Sequence, residues 1–183
     1  MVPFRAFAAA FLLLQTSPEP HTAVTCLGSA WNAHDAGASR MCYAPSAVAV
    51  RNDTRHAIDW EAEEGYRAFD AAAGSVFRFT VLSTRGDTVD TELTERNDFL
   101  DALGIPLVRA RWRYVVRRGL IAEEHHLVAD STFAGVYHRF SAWARTERAT
   151  EWASISGSSG LARFDGGSAG TLTKLAREWK QSQ

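Results

Sequence analysis

Lysine is nearly missing from this chain: of its 20 basic residues only Lys174 and Lys180 are lysines, and the others are all arginine. Net charge is missing too, because 21 acidic residues bring the formal total to −1. Apart from the series Arg109, Arg111, Arg113, Arg117 and Arg118 there is no basic block, so a nucleic-acid partner has no electrostatic footprint to point to. Cysteine is limited to Cys26 and Cys42, which excludes a cysteine pattern for zinc. There is no phosphate-cradling glycine loop and no dinucleotide fingerprint, so no cofactor is expected. The serines of Gly157-Ser158-Ser159-Gly160 lack the strand-to-helix setting of a nucleophile elbow and read as linker. The run Ala6–Leu14, without a polar side chain, is too short to span a bilayer as a helix, and no membrane span is expected.

What is present fits one globular domain. The 183 residues allow a real core, and 46% hydrophobic with 22% charged residues excludes wholesale disorder. Six Trp and ten Phe are generous for this length, which suggests that some rings line a space as well as filling a core. At the start, Arg5, the apolar run and the polar break from Gln15 to Pro20 make a secretory signal pattern. The expectation is a signal peptide over 1–20, a domain over 21–145, a C-terminal linker and helix over 146–183, and export. The alternative is a mis-assigned start, with a cytoplasmic domain beginning near Glu19. In an exported protein Cys26 and Cys42 could pair across the turn around Asp35–Gly37; two free buried thiols are the other reading.

Helical spacing recurs in Ala23, Val24, Leu27, Trp31 and His34 behind a capping Thr22. Asp35 caps a second short helix that would carry Ala38, Met41 and Cys42 inward, ended by Tyr43-Ala44-Pro45. Ala47 to Asn52 reads as a strand, and Ile58 to Ala73 as a helix through Ala62, Tyr66 and Phe69, broken by Gly74. Strands are expected at Val76–Thr84, Thr88–Asp98, Val108–Val116 and Leu120–Val128, alternating with period two. A helix capped by Asp130 should bury Phe133, Val136, Tyr137, Phe140 and Trp143. A mobile Gly/Ser connection, Ser154 to Gly170, should lead to a helix capped by Thr171. Helices segregated from antiparallel strands mean an α+β fold, with the twisted sheet curling around the first helix.

Ala30-Trp31-Asn32-Ala33-His34-Asp35-Ala36-Gly37 resembles the first-helix signature of the nuclear transport factor 2-like superfamily, in its SnoaL-like branches. Thr94-Glu95-Arg96-Asn97-Asp98-Phe99 and Gly119-Leu120-Ile121-Ala122-Glu123-Glu124 look like the same group, and the resemblance covers about residues 22–145. It implies a cone-shaped, cystatin-like roll: a curved antiparallel sheet around N-terminal helices, with an apolar pocket and often a homodimer through the outer sheet face. A C-terminal helical extension lies outside it. It implies no single activity, since members include isomerases, cyclases, dehydratases, epoxide hydrolases and non-catalytic binders.

Limonene-type epoxide hydrolases are the most pointed similarity. They use two carboxylates bridged by an arginine, with an asparagine and a tyrosine holding the water. Arg96 and Asp98 match the Arg-x-Asp element and Asn52 the asparagine, while Val50 replaces the tyrosine and His126 the second aspartate. The resemblance thus implies Asp98 as base, Arg96 as its partner, Asn52 as oxygen holder and His126 as second proton carrier.

Read from the residues alone, Asp90, Glu92, Thr94, Arg96 and Asp98 share one strand face. Such a row usually meets solvent as a salt-bridge ladder, unless a β-bulge rotates Arg96 inward. Trp112, Tyr114, Trp31, His34 and Phe69 either line a pocket for a small apolar ligand or simply pack. Glu123-Glu124-His125-His126 offers only two ligands per strand face, which argues against a metal site. The overall expectation is a pocket protein with cofactor-independent acid/base chemistry, or else a binding or dimerisation module of the same fold.

Overall fold

The computed structural model describes residues 19–183. The signal-peptide expectation over 1–20 lies outside the described residues except for Glu19 and Pro20. Helix α1 (Pro20–Asn32) begins on a proline, whose missing N–H costs nothing in a first turn. Its N-cap is Glu19, without a side-chain cap, so Thr22 is an interior residue and not the expected cap. Val24, Leu27 and Trp31 form its buried stripe. At the far end the Asn32 amide accepts the Phe77 N–H and donates to the Phe77 carbonyl, both at 2.9 Å, which moors the helix to the sheet.

His34 takes left-handed backbone with φ 53°, and Asp35 then accepts the Ala38 N–H at 2.8 Å to cap α2 (Ala36–Met41). Met41, expected inward, is 78% exposed, because in so short a helix only the side holding Ser39 meets the core. Cys42 follows, buried, in a disulfide with Cys26 that ties α2 to α1 and decides between the two cysteine readings.

Strand β1 (Tyr43–Arg51) starts earlier than the proline at position 45 suggested. It turns through Asn52 and Asp53, both at positive φ, into the short edge strand β2 (Thr54–Ala57), which the sequence did not announce. Asp59 caps α3 (Trp60–Ala73), and Gly74 ends it at φ 67°, where a side chain would be strained. The strands β3 (Val76–Arg85), β4 (Thr88–Arg96), β5 (Val108–Arg117) and β6 (Leu120–Val128) complete one six-stranded sheet in the order β2-β1-β6-β5-β4-β3. β1 runs parallel to β6, and the other pairs are antiparallel. The sheet is curved and unclosed.

The expected strand Thr88–Asp98 stops at Arg96. Asn97 accepts the Leu100 N–H at 2.8 Å through its side chain and starts α4 (Asp98–Leu103), whose Phe99, Leu100 and Leu103 are buried. An N-capping amide followed by an apolar stripe at helical spacing thus overrode the strand alternation.

Three helices follow: α5 (Ser131–Glu147), capped by Asp130 as expected, then α6 (Ala149–Ile155) and α7 (Ala169–Gln181). The stretch 154–170, expected as a Gly/Ser connection, carries hydrogen-bonded structure of its own. Its first residues close α6, Ser156 pairs with Ala162, and the Ser168 hydroxyl reaches the Arg163 carbonyl at 2.6 Å. α7 begins before Thr171, on Ala169.

Two apolar clusters result. In one, α1 fills the concave face of the sheet through Val24, Leu27 and Trp31 against Phe77, Val89 and Ile121. In the other, α3 and α4 meet α5, α6 and α7 through Phe69, Phe99, Phe140, Trp152, Leu172 and Leu175. Full burial of a Phe or Leu is worth about 1.5–3 kcal/mol, so this second cluster holds the C-terminal helices firmly on α3 and α4. Among the described residues, no helix is long and apolar enough to cross a membrane.

Candidate functional site

Parity along β4 decides what enters the cone. Val89, Thr91 and Leu93 are buried inward, and the next residue of that series is Glu95. Leu93 pairs with Ala110 and Thr91 with Trp112 on β5, and Trp112 pairs in turn with His126 on β6. Trp31 of α1, Phe69 of α3, Phe99 of α4 and Phe164 close the space opposite, leaving a cavity of about 420 Å³. Its wall is mostly apolar, and its polar members include Glu63, Arg67, Asp70, Glu95, Asn97 and His126. Arg51 and Tyr66, both exposed, stand at the rim.

The polar groups form a connected cluster at one end. The Ser75 hydroxyl lies 3.0 Å from both Asp70 Oδ1 and Glu95 Oε1, and the Asn97 amide donates to Ser75 Oγ at 3.1 Å and to Glu95 Oε1 at 2.7 Å. Ser75 has a single proton to donate, so it cannot satisfy both carboxylates at once. Burial, followed by the nearby Asp70 charge, raises Glu95 to about 7, against the hydrogen bonds from Ser75 and Asn97. Burial also raises Asp70, while Arg67 pulls it back. Arg67 Nη2 is 3.0 Å from Asp70 Oδ2, a close charge pair without hydrogen-bond alignment, and the guanidinium lies 4.0 Å from the centre of the Trp31 ring. Glu95 Oε1 takes both hydrogen bonds and Oε2 has no partner among the described residues, which leaves Oε2 for the cavity.

A second polar group stands at the other end. The His126 ring centre is 3.8 Å from that of Trp112, and its Nε2 is 3.4 Å from Glu124 Oε1. The Tyr43 hydroxyl donates to Glu124 Oε2 at 2.6 Å, and burial with the Glu124 charge pushes Tyr43 far above the usual phenol range. Burial also raises Glu63, with Arg67, Glu124, Asp70 and Arg51 as its charged neighbours.

Of the residues the sequence singled out, Trp31, Phe69, Trp112 and His126 line the cavity. Tyr114 does not line it: fully buried, it stacks beside Trp112, 6.1 Å between ring centres, in the core. His34 is also outside the cavity wall, because the left-handed turn after α1 carries it out of the apolar stripe it extends in sequence. Asn52 is exposed in the β1–β2 turn. Arg96 and Asp98 are exposed as well, and they share no face: Arg96 ends β4 on the outer side and Asp98 opens α4. The ladder reading of that row holds for its neighbours, since Arg113 pairs with Asp90 at 2.7 Å and Arg109 with Glu92 at 3.1 Å.

Sequence reasoning missed Arg67, Asp70, Ser75, Glu95 and Asn97. The signals were a carboxylate in register with Val89, Thr91 and Leu93, and an Asp inside the apolar end of α3. Of the Glu123-Glu124-His125-His126 run, Glu123 and His125 meet each other at 3.1 Å beside Arg55, whereas Glu124 and His126 turn inward. Among the described residues no group of three or more His, Cys, Asp or Glu is arranged to hold a metal ion.

No family model matches the chain, and no curated protein sequence is similar to it. Solved structures do resemble it. One is AclR, a candidate hydroxylase from Streptomyces galilaeus, at 12% identity and a TM-score of 0.53, covering 67% of this chain and 98% of that one. Another is IdmH, a candidate polyketide cyclase from Streptomyces antibioticus, at 18% identity and a TM-score of 0.52, covering 66% of this chain and 99% of that one. Identities this low speak for the fold alone. The fold is thus the nuclear transport factor 2-like, cystatin-like roll that the resemblance implied: a curved sheet around its first helix, with further helices packed at its end.

Proposed function

We propose that this protein takes a small, largely apolar molecule into the cone and moves a proton on it, with Glu95 as the acid/base group and no cofactor. The observation that carries this reading is a carboxyl fixed through one oxygen by Ser75 and Asn97 while its other oxygen is left to an aromatic-walled cavity. A carboxyl that gains and loses its proton near neutral pH can, in its ionised form, take one from a C–H bond and then return it to another atom. One such group suffices for an isomerisation. Water addition and epoxide opening need a second proton carrier beside the same atoms, and His126 stands on another strand, so isomerisation is favoured. Asp70 and Ser75 act through Glu95 as positioning residues, and Arg67 opposes the rise that burial imposes on Asp70.

Similarity to AclR and IdmH, a candidate hydroxylase and a candidate cyclase, supports a small-molecule pocket and leaves the chemistry to these residues. We also propose an oxidising, extracytoplasmic location; the Cys26–Cys42 disulfide supports it, since such bonds are rare in reducing compartments.

The test is thermal stabilisation of the full chain by small lipophilic ketones, alcohols and epoxides, followed by turnover of those that stabilise. Glu95→Gln should keep the stabilisation and lower turnover about 10²–10⁴-fold, the range of general acid–base catalysis. Stabilisation with no turnover in the wild type would leave a non-catalytic binding module. Turnover unchanged in Glu95→Gln would refute the assignment.

A further inference from the structure

The two polar groups of the cavity stand at opposite ends, and sheet and helix give comparable spacings. On the sheet, Glu95 pairs with Val108 and His126 with Trp112, so four residues of β5 separate their levels, about 13 Å at ~3.3 Å per residue. Across the cavity, Glu63, Arg67 and Asp70 line it from one stripe of α3 at i, i+4 and i+7. The seven steps from Glu63 to Asp70 cover about 10 Å along a helix. Asp70 shares Ser75 with Glu95, so Glu63, seven residues earlier on the same stripe, stands toward the opposite end. Between the ends the wall is Trp31, Phe77, Leu93 and Ala110, with the Arg67 guanidinium held over the Trp31 ring.

Each end also keeps a hydrogen-bonding atom to spare. Glu95 Oε2 has no partner among the described residues, nor has His126 Nδ1, its other nitrogen being turned to Glu124. A molecule with one polar end would bury the opposite group against hydrocarbon, which costs about 1–3 kcal/mol for a hydrogen-bonding group left unmatched.

We propose that the cavity takes an elongated apolar molecule with a hydroxyl or carbonyl oxygen at each end, roughly 10 Å apart, one against Glu95 and the other against His126. This rests on the reading of the cavity as a ligand site, and names the class of ligand.

The test uses the full-length protein and three probes of one shape: biphenyl, para-phenylphenol and para,para′-biphenol, whose two oxygens stand about as far apart as the cavity ends. Binding is read from quenching of tryptophan fluorescence, since Trp31 and Trp112 line the cavity. The diol should bind about five- to tenfold more tightly than the mono-ol, the contribution of one further hydrogen bond. Glu95→Met and His126→Phe should each reduce the diol to the affinity of the mono-ol, and either variant alone serves if the other does not fold. A diol that binds the wild type no better than the mono-ol overturns the two-ended ligand and leaves the cavity reading standing. Failure of all three probes to bind overturns both.

Discussion

Asp90 and Glu95 occupy the same strand and meet opposite fates. Asp90 faces outward, where Arg113 reaches it with Nε at 2.7 Å and Nη2 at 3.3 Å, and these bonds hold its carboxyl below the usual range. Glu95 faces inward, where burial raises it to about 7 and its partners are a hydroxyl and an amide. On the outer face of β4 Arg113 meets Asp90 as a fork, a geometry lysine lacks, which gives one use for the strong arginine bias, and Arg109 meets Glu92 through one nitrogen. The inner face keeps one carboxyl for other purposes. A single strand therefore separates structural charge from chemically available charge by side-chain parity alone.

The contrast breaks hardest at Arg67. Among the described residues it is the one cation in salt-bridge contact with the buried Asp70, so Arg67→Met leaves a buried carboxyl beside Glu95 with no cation in contact. Loss of one member of a buried pair costs about 3–5 kcal/mol, to be read from denaturant unfolding at neutral pH. A loss below about 1 kcal/mol would place Arg67–Asp70 with the exposed pairs.

Glu95 itself gives the next largest effect. Its folded-state value, about 7, lies above the ordinary 4.5, so the folded protein holds a proton there that the unfolded chain releases first. The resulting stability is fully present below about pH 4.5 and is lost as pH rises through about 7. At about 1.4 kcal/mol per unit the loss is on the order of 3 kcal/mol. Glu95→Gln cannot ionise, so its stability should stay flatter over that window. Parallel pH profiles for the two proteins would show that Glu95 is hydrated after all.

Much of the fold was legible because local rules agreed. Asp35, Asp130 and Gly74 announced helix ends, and period-two alternation announced β3 to β6. What failed were places where one local rule beat another. Asn97 is both the continuation of an alternating strand and a good N-cap, and the apolar stripe Phe99, Leu100 and Leu103 settled it for the helix. That one choice removed Asp98 from the expected site. Of that site only His126 reached the cavity, along with Trp31, Phe69 and Trp112, because strand parity and helical stripes place large side chains well. Arg67, Asp70 and Ser75 come together with Glu95 only where Gly74 turns α3 into β3 and β3 pairs with β4, and no spacing in the sequence encodes that contact.

The smallest effect sharpens the comparison from the outside. Asp90→Asn removes the charge that Arg113 meets, but Arg113 is 44% exposed and recovers water on losing its partner. An exposed pair is worth about 0.2–1 kcal/mol even with good geometry, and salt screens it further. The substitution should therefore lower stability by less than about 1 kcal/mol, with a smaller difference at molar salt than in dilute buffer. Asp90 lies on the face turned away from the cavity, so the variant should also bind the biphenyl probes as the wild type does. A change in probe affinity would mean that the two faces of β4 are mechanically coupled, and the strand could no longer be treated as a partition between them.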